Sequence, residues 1–190
     1  MKTTGVVEIR WHGRGGQGAV TSAELLARAA INEGKYAQAF PAFGPERRGA
    51  PVVAYDRISA EKAIRIRAGI TEPDIVIVLD ATVLRVVNVT DGLKDGGILI
   101  INTKRNMKDL KAEFGSRWRL AAVDATKIAR ETLGVPIVNT TMLGALIKAS
   151  GAVKPESLGE PLHERFGRLA ERNVNAMNRA LEETAVEELD

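Results

Sequence analysis

Along residues 1–135, segments with apolar residues at the spacing of a strand are followed by segments with apolar residues at the spacing of a helix. The run of residues 6–11 (VVEIRW) predicts a first strand. It leads into the glycine-rich turn HGRGGQG. The next segment, AVTSAELLARAAINEG, has apolar residues at helical spacing and ends at Gly34, a typical helix stop. The chain is therefore predicted to open with strand, glycine-rich turn and helix.

Several short apolar runs predict further strands. Residues 36–43 predict a second strand that Pro41 weakens, and PVVAYDRIS predicts a third strand at an edge of the sheet. The loop GPERRGAP separates the two. Buried strands are predicted within DIVIVLD, LKDGGILIINT and RWRLAAVDAT, and a helix within TKIARETLG.

From residue 136 onward the pattern is helical. PIVNTTMLGALIKASG predicts a helix with Asn139 or Thr140 as its N-cap, and PESLGEPLHERFG predicts a short helical piece. The tail from Leu169 is predicted to be the longest helix, with one apolar face. That face comprises Ala170, Val174, Met177, Leu181, Ala185 and Leu189.

Strands that alternate with helices are typical of a three-layer α/β sandwich around a largely parallel sheet. Residues 1–190 are predicted to form a single domain in which residues 151–190 are a helical C-terminal extension. The apolar face of the tail fits core packing, and its length also leaves part of it available to another subunit.

Composition narrows the functional classes. The chain has no cysteine, which excludes thiolate catalysis and any cysteine-ligated zinc or iron–sulfur cluster held by this chain. A net charge of +3 is too small to indicate a nucleic-acid partner. The apolar runs are too short to span a membrane, and the polar, charged N-terminal residues do not resemble a signal peptide. A cytoplasmic protein is expected.

The glycine-rich turn is the sharpest local motif. Gly13, Gly15 and Gly18 match the G-x-G-x-x-G spacing between a strand and a helix, where backbone N–H groups and the helix dipole favour a phosphate. Arg14 would add positive charge. A dinucleotide site also needs an acidic residue after the second strand, but Glu33 is predicted at a helix end and Glu46 comes too late. An anion site, an NAD(P) site and a tight turn without ligand all remain open.

Four segments in order resemble the gamma subunit of 2-oxoacid:ferredoxin oxidoreductases. They are HGRGGQGAVTSAELLA, FPAFGPERRGAP, YDRIS and VNTTMLGAL. The resemblance extends over almost the entire chain. The chain departs from it at Ala50 and Pro51, where the family often has glycine and serine, and at Asp56, where valine is common.

The resemblance implies a place in a multi-subunit enzyme. Such enzymes convert a 2-oxoacid and coenzyme A to an acyl-CoA and CO2 and pass electrons to ferredoxin. Thiamine diphosphate is implied on the alpha and beta chains and the iron–sulfur clusters on the beta and delta chains. This chain would then be inactive alone, with alpha, beta and delta subunits as partners. Pyruvate is the expected 2-oxoacid, with 2-oxoisovalerate and 2-oxoglutarate as alternatives.

No catalytic or metal-binding residue is predicted, but the glycine-rich turn is a candidate site for coenzyme A (CoA). Its phosphates would bind the turn with Arg14 and Gln17, or the turn would pack against a partner subunit instead. The candidate residues are Gly13, Arg14, Gly15, Gly16, Gln17, Gly18, Arg47 and Arg48. His12 is expected to be structural, and His163 has no evident partner in the sequence.

Two other functions compete with this interpretation. One is a free-standing NAD(P)-binding oxidoreductase. Against it, the chain lacks the acidic residue that would bind the ribose and has no evident proton-transfer pair. The other is an assembly module that only holds the other subunits together.

Overall fold

The computed structural model describes residues 5–42 and 49–187, which form one seven-stranded sheet with helices on both faces. The strands are β1 (Val6–Arg14), β2 (Tyr36–Pro41), β3 (Pro51–Ser59), β4 (Ile75–Val78), β5 (Ile98–Asn102), β6 (Arg119–Val123) and β7 (Ala185–Glu187). The α-helices are α1 (Ala19–Asn32), α2 (Met107–Phe114), α3 (Ala125–Leu133), α4 (Asn139–Ser150), α5 (Gly159–Phe166) and α6 (Ala170–Glu183). Short 3-10 helices cover Ala81–Arg85, Pro155–Leu158 and Gly167–Leu169.

The sheet has the order β2-β3-β1-β4-β5-β6-β7. The central strands β1, β4, β5 and β6 pair in parallel, while β3 and β7 run antiparallel to their neighbours. Because β2 is antiparallel to β3, it points the same way as β1. The predicted three-layer sandwich with a largely parallel sheet is therefore confirmed.

The larger helical layer comprises α1, α3, α4, α5 and α6. Strand side chains alternate between the two faces of a sheet, so Ile75 and Ile77 of β4 pack into this layer while Val76 and Val78 point the other way. Helices α4 and α6 approach closely at Gly144, where an added Cβ would lie 2.0 Å from the carbonyl oxygen of Met177.

The opposite face has a thinner cover. The 3-10 helix Ala81–Arg85 and helix α2 pack over β4, β5 and β6. Residues 60–74, which we call the strap, connect β3 to β4 without forming a helix or strand. The strap lies over β1, β2 and β3, whose side chains donate hydrogen bonds to its carbonyl groups.

Three sequence predictions about elements were wrong. Strand β3 is not at an edge, because β2 pairs with its outer side. Neither Asn139 nor Thr140 caps α4; they are its first two residues, and Val138 occupies the N-cap position without a side-chain cap. Thr140 instead donates to Asn173 of α6, and Asn139 lies against Gly18 at the start of α1. The spacing of cap residues in the sequence cannot reveal such contacts between helices.

The tail helix was predicted too long. Helix α6 ends at Glu183 and matches α1 in length, with 14 residues each. Ala185–Glu187 then form β7, which pairs antiparallel with β6. Pairing satisfies the backbone of β6, which would otherwise be an exposed sheet edge. Leu189, the last residue of the predicted face, lies outside the described residues.

Asp56 is a fully buried carboxyl group beneath the larger helical layer. Its Oδ2 accepts a hydrogen bond from Trp11 Nε1 at 2.6 Å, while Oδ1 has no hydrogen-bond partner among the described residues. Burial raises the pKa of Asp56 well above its ordinary value, and the Trp11 hydrogen bond offsets this only in part. The folded protein therefore favours the protonated carboxyl.

This raised pKa predicts that the stability of the folded protein decreases as pH rises. As pH rises above about 4, the unfolded chain ionises Asp56 while the folded chain does not, so stability is lost until pH passes the folded-state pKa. Asp56→Asn removes this dependence. The free energy of unfolding of the variant, minus that of the wild type, should rise with pH by up to about 1.4 kcal/mol per unit. Urea unfolding between pH 4.5 and 8 measures the slope, and a difference independent of pH would contradict the raised pKa.

Candidate functional site

The glycine-rich segment is shorter as a loop than the sequence predicts. Strand β1 continues through His12, Gly13 and Arg14, because these residues pair with Pro51–Val53 at the start of β3. The connection to α1 consists of residues 15–18 alone. Gly16 and Gly18 have positive φ angles of 90° and 83°, a conformation that favours glycine.

The glycines serve different purposes. A Cβ on Gly18 would lie 2.8 Å from Nδ2 of Asn139, so this glycine allows the start of α1 to pack against the start of α4. A Cβ on Gly13 would lie 3.2 Å from Cδ1 of Leu79. Around Gly16 there is open space, with nothing described within 4 Å. Of these three, Gly16 is therefore the one that leaves the backbone open to a ligand or a partner.

Arg14 and Gln17 belong to a polar network with Asp80 and Thr82. Gln17 Oε1 accepts from the Arg14 N–H at 2.7 Å, and Gln17 Nε2 donates to Asp80 Oδ2 at 2.7 Å. Arg14 Nε donates to Thr82 Oγ1 at 2.9 Å, and Nη1 donates to the Gly49 carbonyl at 3.0 Å. The network ties the loop after β1 to the end of β4.

Asp80 is ionised within this network. Burial opposes its ionisation, but hydrogen bonds from Thr82 and Gln17 and the charge of Arg14 outweigh burial and lower its pKa. The Arg14 Nε atom lies 3.7 Å from Asp80 Oδ2. Part of the positive charge of Arg14 is thus already balanced within the chain.

A crevice of about 500 Å³ opens beside this network, at the carboxyl ends of β4, β5 and β6. Ligands of open α/β sheets bind at this edge, next to the point where the strand order reverses. Its lining includes Gln17 and Asp80 from the network. It also includes Asn102, Lys104, Asp124, Thr126, Arg130, Pro136 and Val138.

Asn102 shapes the floor of the crevice. Its Nδ2 donates to the Leu79 carbonyl at 2.9 Å and to Thr126 Oγ1 at 3.0 Å, which links the ends of β4 and β5 to the start of α3. Asp124 caps α3 by accepting from the Lys127 N–H at 2.9 Å. These contacts fix the crevice walls.

The crevice is lined by both carboxylates and cations, and the two groups differ in their hydrogen bonding. Asp80 and Asp124 accept hydrogen bonds from the chain. Lys104 and Arg130 are exposed, and within residues 5–42 and 49–187 neither side chain has a hydrogen bond or ion pair. The crevice therefore has positive charge available to an anionic ligand.

Sequence reasoning missed Asn102, Lys104, Thr126 and Arg130. They come from separate segments, and only the parallel sheet brings them to one edge. The available signal was their position just after the predicted strands ILIIN and RLAAV, where the carboxyl ends of parallel strands meet.

The residues considered for a dinucleotide have other partners or lie outside the described chain. Glu33 follows α1, and its Oε1 accepts from the Lys154 N–H at 2.5 Å and from Ser157 Oγ at 2.7 Å. Its other oxygen pairs with Lys35. Glu46, Arg47 and Arg48 lie outside the described residues.

Both histidines have protein partners. His12 is buried, and its Nε2 accepts a hydrogen bond from Arg10 Nε at 3.0 Å. Burial and the charge of Arg10 lower the pKa of His12 to about 3, so it is neutral and structural. His163, which has no evident partner in the sequence, lies with its Nε2 3.1 Å from Glu171 Oε1 at the surface.

The described residues offer neither a metal-binding cluster nor a membrane-spanning helix. No group of three or more acidic, histidine or cysteine side chains is arranged to hold a metal ion there. In the same part of the chain, no helix combines the length and the apolar character needed to cross a bilayer.

Comparison with known proteins gives matches along nearly the whole chain. Residues 8–183 match the pyruvate ferredoxin/flavodoxin oxidoreductase family. The common gamma subunit of pyruvate/ketoisovalerate oxidoreductases from Thermococcus kodakarensis is 55% identical over 97% of this chain and 100% of its own length. Pyruvate synthase subunit PorC from Methanocaldococcus jannaschii is 50% identical over 94% of this chain and 97% of its own length.

A solved structure gives the same result for the fold. The crystal structure of pyruvate oxidoreductase subunit PORC from Thermotoga maritima superimposes with a TM-score of 0.86 at 38% identity. The match covers 96% of this chain and 99% of that chain.

Proposed function

Because the chain belongs to the pyruvate ferredoxin/flavodoxin oxidoreductase family, we propose that it is the gamma subunit of a multi-subunit pyruvate:ferredoxin oxidoreductase. The observation that carries the proposal is the 55% identity to a gamma subunit along that relative's full length. The enzyme would oxidise and decarboxylate pyruvate in the presence of CoA, forming acetyl-CoA and CO2 and reducing ferredoxin. Residues 1–190 would act as one domain, with residues 151–190 as its extension.

The proposal assigns the redox chemistry to the alpha, beta and delta subunits. This chain has no cysteine, so it offers no thiolate ligand for an iron–sulfur cluster. Thiamine diphosphate would likewise be held by the partner chains. The contribution of this chain is then assembly and the handling of CoA.

The crevice supports CoA handling by its charge and position. CoA carries several phosphate negative charges, and Lys104 and Arg130 are cations without a partner among the described residues. The adjacent loop presents the backbone around Gly16 and the start of α1, where N–H groups favour phosphate. We infer that the CoA phosphates bind here, with Gln17 and Arg14 orienting the loop. Gly13, Gly15 and Gly18 would then shape the loop. Arg47 and Arg48, which precede β3 in the sequence, would add positive charge.

Substituting one crevice cation should raise the KM for CoA more than the KM for pyruvate. Arg130→Gln removes a charge-assisted contact, and such a contact is worth about 1.5–3 kcal/mol, so the KM for CoA should rise about tenfold or more. The KM for pyruvate should stay within about twofold, because the 2-oxoacid reacts on other chains. Arg14→Ala should also raise the KM for CoA, because it removes the Thr82 and Gly49 contacts that fix the loop.

The matched control lies on the same helix. Lys127 is an exposed cation of α3 that does not line the crevice, so Lys127→Gln should leave both KM values unchanged. Unchanged KM values for CoA in Arg130→Gln and Arg14→Ala would favour the competing view, in which this edge contacts a partner subunit.

Reconstitution tests the subunit assignment itself. The chain is expressed anaerobically with the alpha, beta and delta chains of its source, and the complex is isolated through a tag on this chain. We expect the four chains to co-purify and to reduce a viologen dye only when pyruvate and CoA are both present. Parallel assays with 2-oxoisovalerate and 2-oxoglutarate determine the 2-oxoacid. A chain that elutes alone and inactive would contradict the proposal.

A further inference from the structure

Helices α1 and α4 both begin without a side-chain cap. Helix α1 follows Gly18 and α4 follows Val138, and neither N-cap residue supplies a side-chain hydrogen bond. In α1 the first helical hydrogen bond runs from the Ser22 N–H to the Gly18 carbonyl at 2.9 Å. In α4 it runs from the Met142 N–H to the Val138 carbonyl, also at 2.9 Å. The N–H groups that precede these donors in each helix therefore have no helical acceptor.

The two helix starts lie against each other at the edge of the crevice. A Cβ on Gly18 would lie 2.8 Å from Nδ2 of Asn139, the first residue of α4. Gln17 and Val138, which directly precede Gly18 and Asn139 in the sequence, both line the crevice. The positive ends of two helix dipoles and their unbonded N–H groups therefore meet beside the crevice, where they favour an anion.

The side chain of Asn139 adds a buried donor at the same point. Asn139 is 6% exposed, and within residues 5–42 and 49–187 its side-chain amide makes no hydrogen bond. A buried amide without a partner costs free energy, so such a group in a folded protein needs an explanation. Its Nδ2 is directed at the start of α1, beside the unbonded N–H groups. A phosphate oxygen bound between the helices would accept a hydrogen bond from this amide.

We propose that Asn139 and the starts of α1 and α4 bind the diphosphate of CoA, an inference that rests on the proposed function and names the part of CoA that this edge holds. Each phosphate of the diphosphate carries a single negative charge. Backbone N–H groups at a helix start bind such a group in dinucleotide sites without needing a cation. The 3′-phosphate of CoA is a monoester with a charge of about −1.5 to −2, which suits Lys104 and Arg130 instead.

The test uses CoA and dephospho-CoA, which differ only in the 3′-phosphate. Isothermal titration calorimetry measures the dissociation constant of each compound for the complex of all four chains, without pyruvate, so that no turnover occurs. Asn139→Asp replaces the amide donor with a carboxylate of nearly the same shape, which would repel a phosphate. Because an acidic residue in the first turn of a helix is favourable, the melting temperature of this variant should not fall.

Asn139→Asp should weaken the binding of CoA and of dephospho-CoA by the same factor, about tenfold or more, because both compounds contain the diphosphate. Asn139→Ala removes the donor without adding charge. It should weaken the binding of both compounds about tenfold, and it carries the test if Asn139→Asp does not fold.

Asn106→Asp is the matched control. It makes the same exchange at the N-cap of α2, which is exposed and does not line the crevice. Both dissociation constants should stay within about twofold of the wild type, because salt screens a distant exposed charge. Equal weakening by Asn106→Asp and Asn139→Asp would indicate a general effect of charge and would overturn the inference.

The remaining outcomes separate the inference from the proposed function. Unchanged binding of both compounds in folded Asn139 variants overturns the inference. Weaker binding of CoA with unchanged binding of dephospho-CoA would assign the 3′-phosphate to this position and overturns it as well. In either case the CoA site itself stands if Arg130→Gln weakens the binding of CoA. If neither Arg130→Gln nor the Asn139 variants change the affinity for CoA, the proposed handling of CoA and the inference fall together.

Discussion

Gly144→Ala should destabilise the protein by about 2–4 kcal/mol in total, because it forces α4 and α6 apart. The added Cβ would lie 2.0 Å from the carbonyl oxygen of Met177 and 2.9 Å from the backbone nitrogen of Leu181, and backbone atoms cannot move aside as a flexible side chain can. One turn earlier on both helices, buried Thr140 Oγ1 donates to Asn173 Oδ1 at 2.8 Å. Separating the helices would stretch that hydrogen bond too, which adds about 1 kcal/mol.

Urea unfolding followed by circular dichroism measures this effect, and the melting temperature should fall on the order of 10 °C. Gly159→Ala is the matched control. An added Cβ there meets nothing within 4 Å, and its φ of −55° suits alanine, so stability should rise by about 0.4–1 kcal/mol. A Gly144→Ala variant within about 1 kcal/mol of the wild type would show that the two helices tolerate separation.

The central strands could be predicted from the sequence because local pattern and burial agree there. The run IVIV of β4 is buried on both faces, and β-branched residues without alternation are typical of such a strand. Other parts depend on distant partners. Gly13 and Arg14 have no strand signal of their own, but pairing with Val52 and Pro51 extends β1 through them.

The conformations of residues 185–187 and of the strap also depend on distant partners, which local sequence does not reveal. Residues 185–187 continue the helical spacing of α6, yet they pair with β6 because its outer edge is open. In the strap, Ile64 and Ile66 alternate with arginines at the period of a strand. That segment nevertheless pairs with no strand of the described sheet, since polar side chains from β1, β2 and β3 take its carbonyl groups.

The candidate site was predicted in part. The glycine spacing located the loop after β1 correctly, but it could not show that Gly18 faces Asn139 or that Arg14 is already bonded to Thr82 and Gly49. The cations of the crevice belong to loops and helices after β5 and β6. Their proximity is a property of strand order, which no single motif encodes.

The subunit assignment and the geometry support one division of labour. The carboxyl edge of the sheet carries the exposed cations Lys104 and Arg130, whose charge is suited to a phosphorylated ligand. Under the proposed function, this edge would hold the phosphates of CoA, and electron transfer would take place on the partner subunits.

Arg10 links the strap to the fold, and its removal should be the other strongly destabilising change. Its buried guanidinium donates to His12 Nε2 and to the carbonyl groups of Ile70, Val89 and Asp91. Burial lowers the pKa of Arg10, which reflects the cost of desolvating its charge. That cost is smaller for arginine than for a more strongly hydrated ammonium group, whereas the buried carbonyl groups would lose their donors outright.

Arg10→Met should therefore lower the free energy of unfolding by about 2–4 kcal/mol. Arg10→Lys should recover only part of this loss, because one ammonium group cannot reach acceptors that the planar guanidinium serves together. Arg85→Met is the control: Arg85 is exposed and has no partner among the described residues, so stability should change by no more than about 0.5 kcal/mol. Hydrogen exchange should reveal lost protection in segments 60–74 and 86–92 before the central strands. Uniform loss of protection along the sheet would mean that Arg10 supports the core and not the strap.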